Sequence, residues 1–183
     1  MGAILAWALP LLMPAPAAAD AEAALWAALK AGGHVAVMRH ADAPGTDDPP
    51  GFRLDDCATQ RNLSESERKQ ARAIGARFRE HGIREVPVYS SQWCRCLETA
   101  RLLGLGEVKA FPGLNSFFRD AGRETRQTAE VKALIREHRG GPSPVLVTHQ
   151  VNVTALTGVY PRPGEVVVLR PDGENLAVVG RIR

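Results

Sequence analysis

Three strand-like runs each end in polar or cationic residues. Val35-Ala36-Val37-Met38 runs into Arg39-His40, Val86-Pro87-Val88-Tyr89 into Ser90-Ser91 with Arg95 beyond, and Val145-Leu146-Val147-Thr148 into His149. Short runs rich in valine, bounded by turn residues, read as buried strands. Between them the period of the apolar positions becomes helical. Asp20 can cap a helix over 20–30 that carries Leu25 and Leu29 on one face and stops at Gly32-Gly33. Ser64 with Glu67 matches a capping box, and Ala71, Ile74 and Phe78 follow at helical spacing up to Gly82. A third helix is expected over 92–103, with Leu97, Ala100 and Leu103 as its inner stripe. A short strand over 108–111 and an irregular segment over 112–126 come next. Thr125 or Thr128 is expected to cap a helix containing Val131, Leu134, Ile135 and His138, ended by Gly140-Gly141-Pro142. After a short helix near 152–157, strands over 165–170 and 176–182 form a hairpin joined by Asp172-Gly173.

Strands alternating with helices, closed by a hairpin, predict a three-layer α/β/α sandwich with a largely parallel sheet. In an open α/β sheet, ligands sit beyond the C-terminal ends of the strands. Arg39, His40, Arg95 and His149 are all delivered to that edge. Guanidinium forks match phosphate oxygens, and an imidazole with an unperturbed pKa of about 6.5 is a competent nucleophile at neutral pH. Either histidine can attack phosphorus while the other stabilises the transferring group. The loop over 41–62 is long for a compact domain, which marks it as functional.

Composition narrows the picture. The chain has 183 residues with a net charge of +3 and no block of like charges, so no nucleic-acid partner is expected. Residues 1–19 carry no charged side chain and end in Ala17-Ala18-Ala19. They are too short and too Pro-broken to span a bilayer, and they read as a secretory signal preceding a single domain over 20–183. The mature chain is therefore expected to be periplasmic or secreted, with no membrane span. Of the three cysteines, Cys57 can pair with Cys94 or with Cys96. His34 and His40 lie about 20 Å apart on one extended run, too far to share a metal. No P-loop and no Gly-x-Ser-x-Gly elbow occurs.

Val37-Met38-Arg39-His40-Ala41 resembles the Arg-His-Gly signature of the histidine phosphatase (phosphoglycerate mutase-like) superfamily. The stretch from Ser90-Ser91 through Arg95 to Thr99-Ala100 is similar to its second block, and Val147-Thr148-His149 to the block carrying its second histidine. The likeness covers about 35–158. It implies that His40 becomes phosphorylated, that Arg39, Arg95 and His149 bind the phosphate oxygens, and that water releases the phosphate with no metal or cofactor. Three departures stand out. Ala41 and Gln150 replace glycines, and the segment where the family often carries a donor glutamate reads Leu114-Asn115-Ser116. Asp120, with Glu124 behind it, is the substitute donor, and Asn152 is a candidate phosphate ligand. Within the superfamily the chain looks most like a small periplasmic branch that includes lipopolysaccharide core heptose-phosphate phosphatases. The expectation is metal-independent hydrolysis of a small or lipid-linked phosphomonoester, such as a phosphosugar of the cell envelope. The alternatives are a phosphate-binding protein without turnover and a phosphohistidine-protein phosphatase.

Overall fold

In a computed structural model that describes residues 18–183, the strands alternate their side chains between two apolar layers. The expected leader lies outside the described residues up to position 17. On β1 (Val35–Arg39), Val35 and Val37 face one layer while Ala36 and Met38 face the other, all nearly devoid of solvent contact. The remaining strands are β2 (Val88–Ser90), β3 (Val108–Ala110), β4 (Val145–Thr148), β5 (Val166–Asp172) and β6 (Asn175–Ile182). They form one sheet in the order β3-β2-β4-β1-β5-β6. The β1, β2, β3 and β4 strands run parallel, and the β5–β6 hairpin joins antiparallel at β1. This is the expected α/β sandwich.

Helices α1 (Ala18–Ala31), α2 (Glu65–Glu80) and α3 (Cys94–Leu103) cover one face of the sheet. Helices α4 (Glu124–Glu137) and α5 (Gln150–Thr157) cover the other. The capping box of α2 forms, with Ser64 N donating to Glu67 Oε2 at 3.0 Å. Its inner face carries Ala71, Ile74 and Phe78 as their spacing requires, and Phe78 meets Trp26 of α1 edge-on with ring centroids 4.9 Å apart. Gly75 lets α2 cross close to α3, because a Cβ there would overlap the Leu103 carbonyl.

Three local expectations are corrected. The inner stripe of α3 is Cys96, Ala100 and Leu103, while Leu97 is only half-buried. Cys96, Ala100 and Leu103 follow the i, i+4, i+7 spacing of one helix face, and Leu97 lies at its edge. Neither threonine caps α4; a 3-10 turn over Ala121–Arg123 leads into it and Arg123 is its N-cap. Starting at Glu124 turns Gln127 inward, where its amide donates to the Asn115 carbonyl at 2.7 Å. The hairpin turn is Gly173-Glu174, closed by the pair Asp172 and Asn175, with Gly173 taking the positive φ of 57°. Among the described residues, no helix is long and apolar enough to cross a membrane.

Candidate active site

Strand register decides which residues meet. Arg39 on β1 is aligned with Thr148 on the adjacent parallel β4, so the next residues, His40 and His149, emerge side by side. Their ring centroids are 5.4 Å apart with the planes at 72°. On the far side of β4, β2 aligns Ser90 with Val147 and delivers Ser91 to the same edge. The chain then turns into α3, whose first turn carries Arg95. The four residues expected at a phosphate site are thus brought together, and all four line a cavity of about 450 Å³.

His40 is buried, and its Nδ1 lies 2.6 Å from the Ala41 carbonyl oxygen. A carbonyl only accepts, so Nδ1 carries the proton and Nε2 keeps its lone pair. Arg95 Nε donates to that Nε2 at 3.3 Å. Ala41 fits where the family has glycine because its backbone is not in the positive-φ region. His149 is held from its other side, with Nε2 2.8 Å from Ser91 Oγ and 3.5 Å from Cys96 Sγ. Ser91 Oγ also lies 3.2 Å from Asn115 Oδ1. Giving the hydroxyl proton to the shorter contact leaves the His149 proton on Nδ1, free to donate into the cavity. Burial first, and the Arg95 guanidinium second, push the His40 pKa down to about 3. Burial and the neighbouring His40 push His149 well below its usual range. Both rings are neutral at pH 7.

Two further residues belong to the constellation. Asp48 accepts from both terminal nitrogens of Arg95, at 2.8 and 3.2 Å, and from Trp93 Nε1 at 3.0 Å. Burial works to raise the Asp48 pKa, but the hydrogen bonds and charge of Arg95 outweigh it and the carboxyl stays below the usual range. Arg61 lines the cavity and is fixed by the carbonyls of Ala43 and Gly45, while its buried Nε has no partner. Burial, followed by the charge of Arg95, lowers its pKa. The Nε of Arg39 is likewise buried and unpartnered, and Arg39 Nη1 donates to the Pro161 carbonyl at 3.3 Å. Both arginines line the cavity, and the planar fork of a guanidinium matches the oxygens of an oxyanion. Local sequence offered one signal for Arg61, its place just before the capping box at Ser64. It offered none for Asp48, one of five aspartates in the loop over 41–62.

The loop is tied to α3 by a Cys57–Cys94 disulfide with Cα atoms 5.7 Å apart, and Cys96 is free and buried. Gln60 adds a second tie by accepting from Cys94 N at 2.9 Å. Asp120 lines the cavity as an exposed carboxylate, whereas Glu124 does not reach it. Asn152 does not reach it either. Its amide donates to the Asn115 carbonyl at 2.9 Å, so it braces the segment behind Ser91. Asn115, in the stretch Leu114-Asn115-Ser116, is buried, and its Oδ1 accepts from Gln92 N at 2.9 Å. Among the described residues, no group of three His, Cys, Asp or Glu side chains is arranged to hold a metal ion.

The sequence profile of the histidine phosphatase superfamily (branch 1) matches residues 35–133. No curated protein matches the chain. The fold is similar to that of the protein histidine phosphatase SixA complexed with tungstate, with a TM-score of 0.61 and 18% identity over 81% of this chain and 96% of that one. It is similar to YhfR of Bacillus stearothermophilus, with a TM-score of 0.61 and 15% identity over 79% and 94% of the two chains. A mycobacterial glucosyl-3-phosphoglycerate phosphatase complexed with VO3 is also similar, with a TM-score of 0.58 and 16% identity over 79% and 96%. At such identities these are likenesses of fold.

Proposed function

Because this chain belongs to branch 1 of the histidine phosphatase superfamily, we propose that it hydrolyses phosphomonoesters through a phosphohistidine on His40. The observation that carries this reading is the hydrogen bond from His40 Nδ1 to the Ala41 carbonyl at 2.6 Å, which leaves the lone pair on Nε2, where it accepts from Arg95 Nε at 3.3 Å until that donor turns to a phosphate oxygen. Nε2 attacks phosphorus, an N–P bond forms and the bond to the ester oxygen breaks. Arg39, Arg61 and Arg95 bind the non-bridging oxygens, and His149 Nδ1–H donates to one of them. Positioning and charge are what phosphoryl transfer chiefly requires. Asp120, on the open side, enters as the protonated carboxyl, gives its proton to the leaving oxygen and becomes a carboxylate. In the second half it takes a proton from water, which attacks phosphorus and breaks the N–P bond. The neutral state of His40 supports this role, since the ring needs no deprotonation before attack.

The same proposal places the enzyme in the periplasm or outside the cell, acting on a small or lipid-linked phosphorylated compound of the envelope. The Cys57–Cys94 pair supports that placement, because such bridges persist in oxidising compartments. A second reading, removal of phosphate from a phosphohistidine of another protein, is favoured by the likeness to SixA. Rapid quenching with a labelled aryl phosphate tests the main reading. Acid-labile, alkali-stable label on the wild type and none on His40→Ala is expected. Label retained by His40→Ala would assign the nucleophile elsewhere. Preferential turnover of a phosphohistidine peptide over every ester would select the second reading.

A further inference from the structure

Four of the ten aromatic residues of the chain line this one cavity. Phe52 and Trp93 pack on each other inside it, with centroids 5.6 Å apart. Phe118 and Tyr160 stand at its mouth, each 69% exposed, the two most exposed large apolar side chains among the described residues. Scattered exposed apolar residues need no explanation, but a concentration around one cavity does. Both rings sit on backbone tied to the phosphate machinery. The Tyr160 carbonyl accepts from Arg181 Nη2 at 3.3 Å, and the adjacent Pro161 carbonyl accepts from Arg39. Phe118 precedes Arg119, whose guanidinium binds Asp47 Oδ2 at 2.6 Å and the Asp48 carbonyl at 2.8 Å. The backbone that carries these rings is thus anchored, and the rings themselves are uncovered.

Charge limits what can cover them. Five arginines and three aspartates line the cavity, a formal +2 with both histidines neutral. Two of the aspartates are already paired, Asp48 with Arg95 and Asp47 with Arg119. A phosphate monoester dianion balances the remaining charge when Asp120 is ionised, and with Asp120 protonated as the proton donor one positive charge is left, fewer than a second phosphate needs. From the exposed rings and this balance, and resting on the phosphatase reading above, we propose that the mouth is a leaving-group subsite for an uncharged ring. An aryl ring and a sugar ring both offer the flat face that Phe118 and Tyr160 would contact. Doubly phosphorylated substrates are disfavoured.

The test separates binding from turnover. Phenylphosphonate and methylphosphonate carry the same anion and are not hydrolysed. Titrated against the wild type, the phenyl compound is expected to bind about tenfold more tightly, in line with two aromatic contacts. The Phe118→Ser/Tyr160→Ser double variant, altered only at exposed positions, is expected to lose most of that ratio. Equal binding by the wild type, or a ratio preserved in the double variant, overturns the subsite. Turnover gives the second readout, with kcat/KM for phenyl phosphate and glucose 6-phosphate compared with glycerol phosphate. Hydrolysis without a ring preference leaves the phosphatase reading standing and removes the subsite. A ring preference in phosphonate binding with no turnover of any ester leaves the subsite standing and removes the phosphatase reading. The relative rates of the phenyl and glucose esters then assign the ring as aryl or glycosyl.

Discussion

Asp48 grips both terminal nitrogens of Arg95, at 2.8 and 3.2 Å, and by doing so aims the Nε of Arg95 at His40. Both side chains are almost fully buried. In the proposed phosphohistidine, a guanidinium held at its far end presents its Nε edge to the phosphate on His40. Asp48 also cancels one positive charge in a cavity crowded with arginines. Asp48→Asn keeps the shape and removes the charge. Breaking one partner of a buried pair costs about 3 kcal/mol or more. Thermal melts are expected to show that loss, and kcat/KM is expected to fall by roughly tenfold or more as Arg95 shifts. Inorganic phosphate should stabilise the variant more than the wild type, because it supplies the missing negative charge. A variant with unchanged kinetics would deny Asp48 its positioning role.

In the proposed mechanism His149, neutral and held by Ser91, donates from Nδ1 rather than attacking. His149→Ala is expected to lower kcat by about 10²–10³, the usual loss on removing one transition-state donor, while still accumulating some phosphoenzyme on His40. Ser91→Ala releases the ring without removing it and should cost less, with kcat falling by about tenfold. A burst measurement on each variant checks the order.

Acid should unfold this protein through its own site. The His40 pKa is about 3 in the folded chain against 6.5 for the free residue, and His149 is lowered too. Between those values the unfolded chain binds protons that the folded chain refuses. Stability is therefore complete above about pH 6.5 and falls as the pH drops toward 3, by up to about 1.4 kcal/mol per pH unit for each ring. Denaturant melts at stepped pH are expected to show this slope. His40→Asn should make it shallower.

The Cys57–Cys94 bridge closes a loop between residues 37 apart. Chain entropy assigns such a closure about 4 kcal/mol. Reduction, or Cys57→Ser, should lower stability by roughly that amount, with calorimetry as the check. It should also loosen the loop carrying Asp48 and Arg61, so kcat/KM is expected to fall with it. Cys96 should stay unalkylated in the folded, reduced protein, because burial pushes its thiol up to about 12.

Period and punctuation in the sequence determined the architecture. Valine-rich runs could only be buried strands, and the apolar stripes of α2 and α4 had one face to hide. The termination of three such runs in Arg39-His40, Ser90-Ser91 and Thr148-His149 determined that the site lies at one sheet edge, since parallel strands share their C-terminal side. Element starts were less legible. Where α3 and α4 begin depends on which face the sheet and the loop over 112–126 require inward, and the chain alone does not carry that information. Pairings between distant segments were decided by tertiary structure. Cys57 chose Cys94 over Cys96 because the first turn of α3 meets the loop while Cys96 points into the core. Asp48 reached Arg95, and Asn152 was drawn away to Asn115, for the same reason. A hydrogen bond or ion pair over dozens of residues is fixed by where two backbones come to rest, and residue type and spacing say only that such a partner is needed.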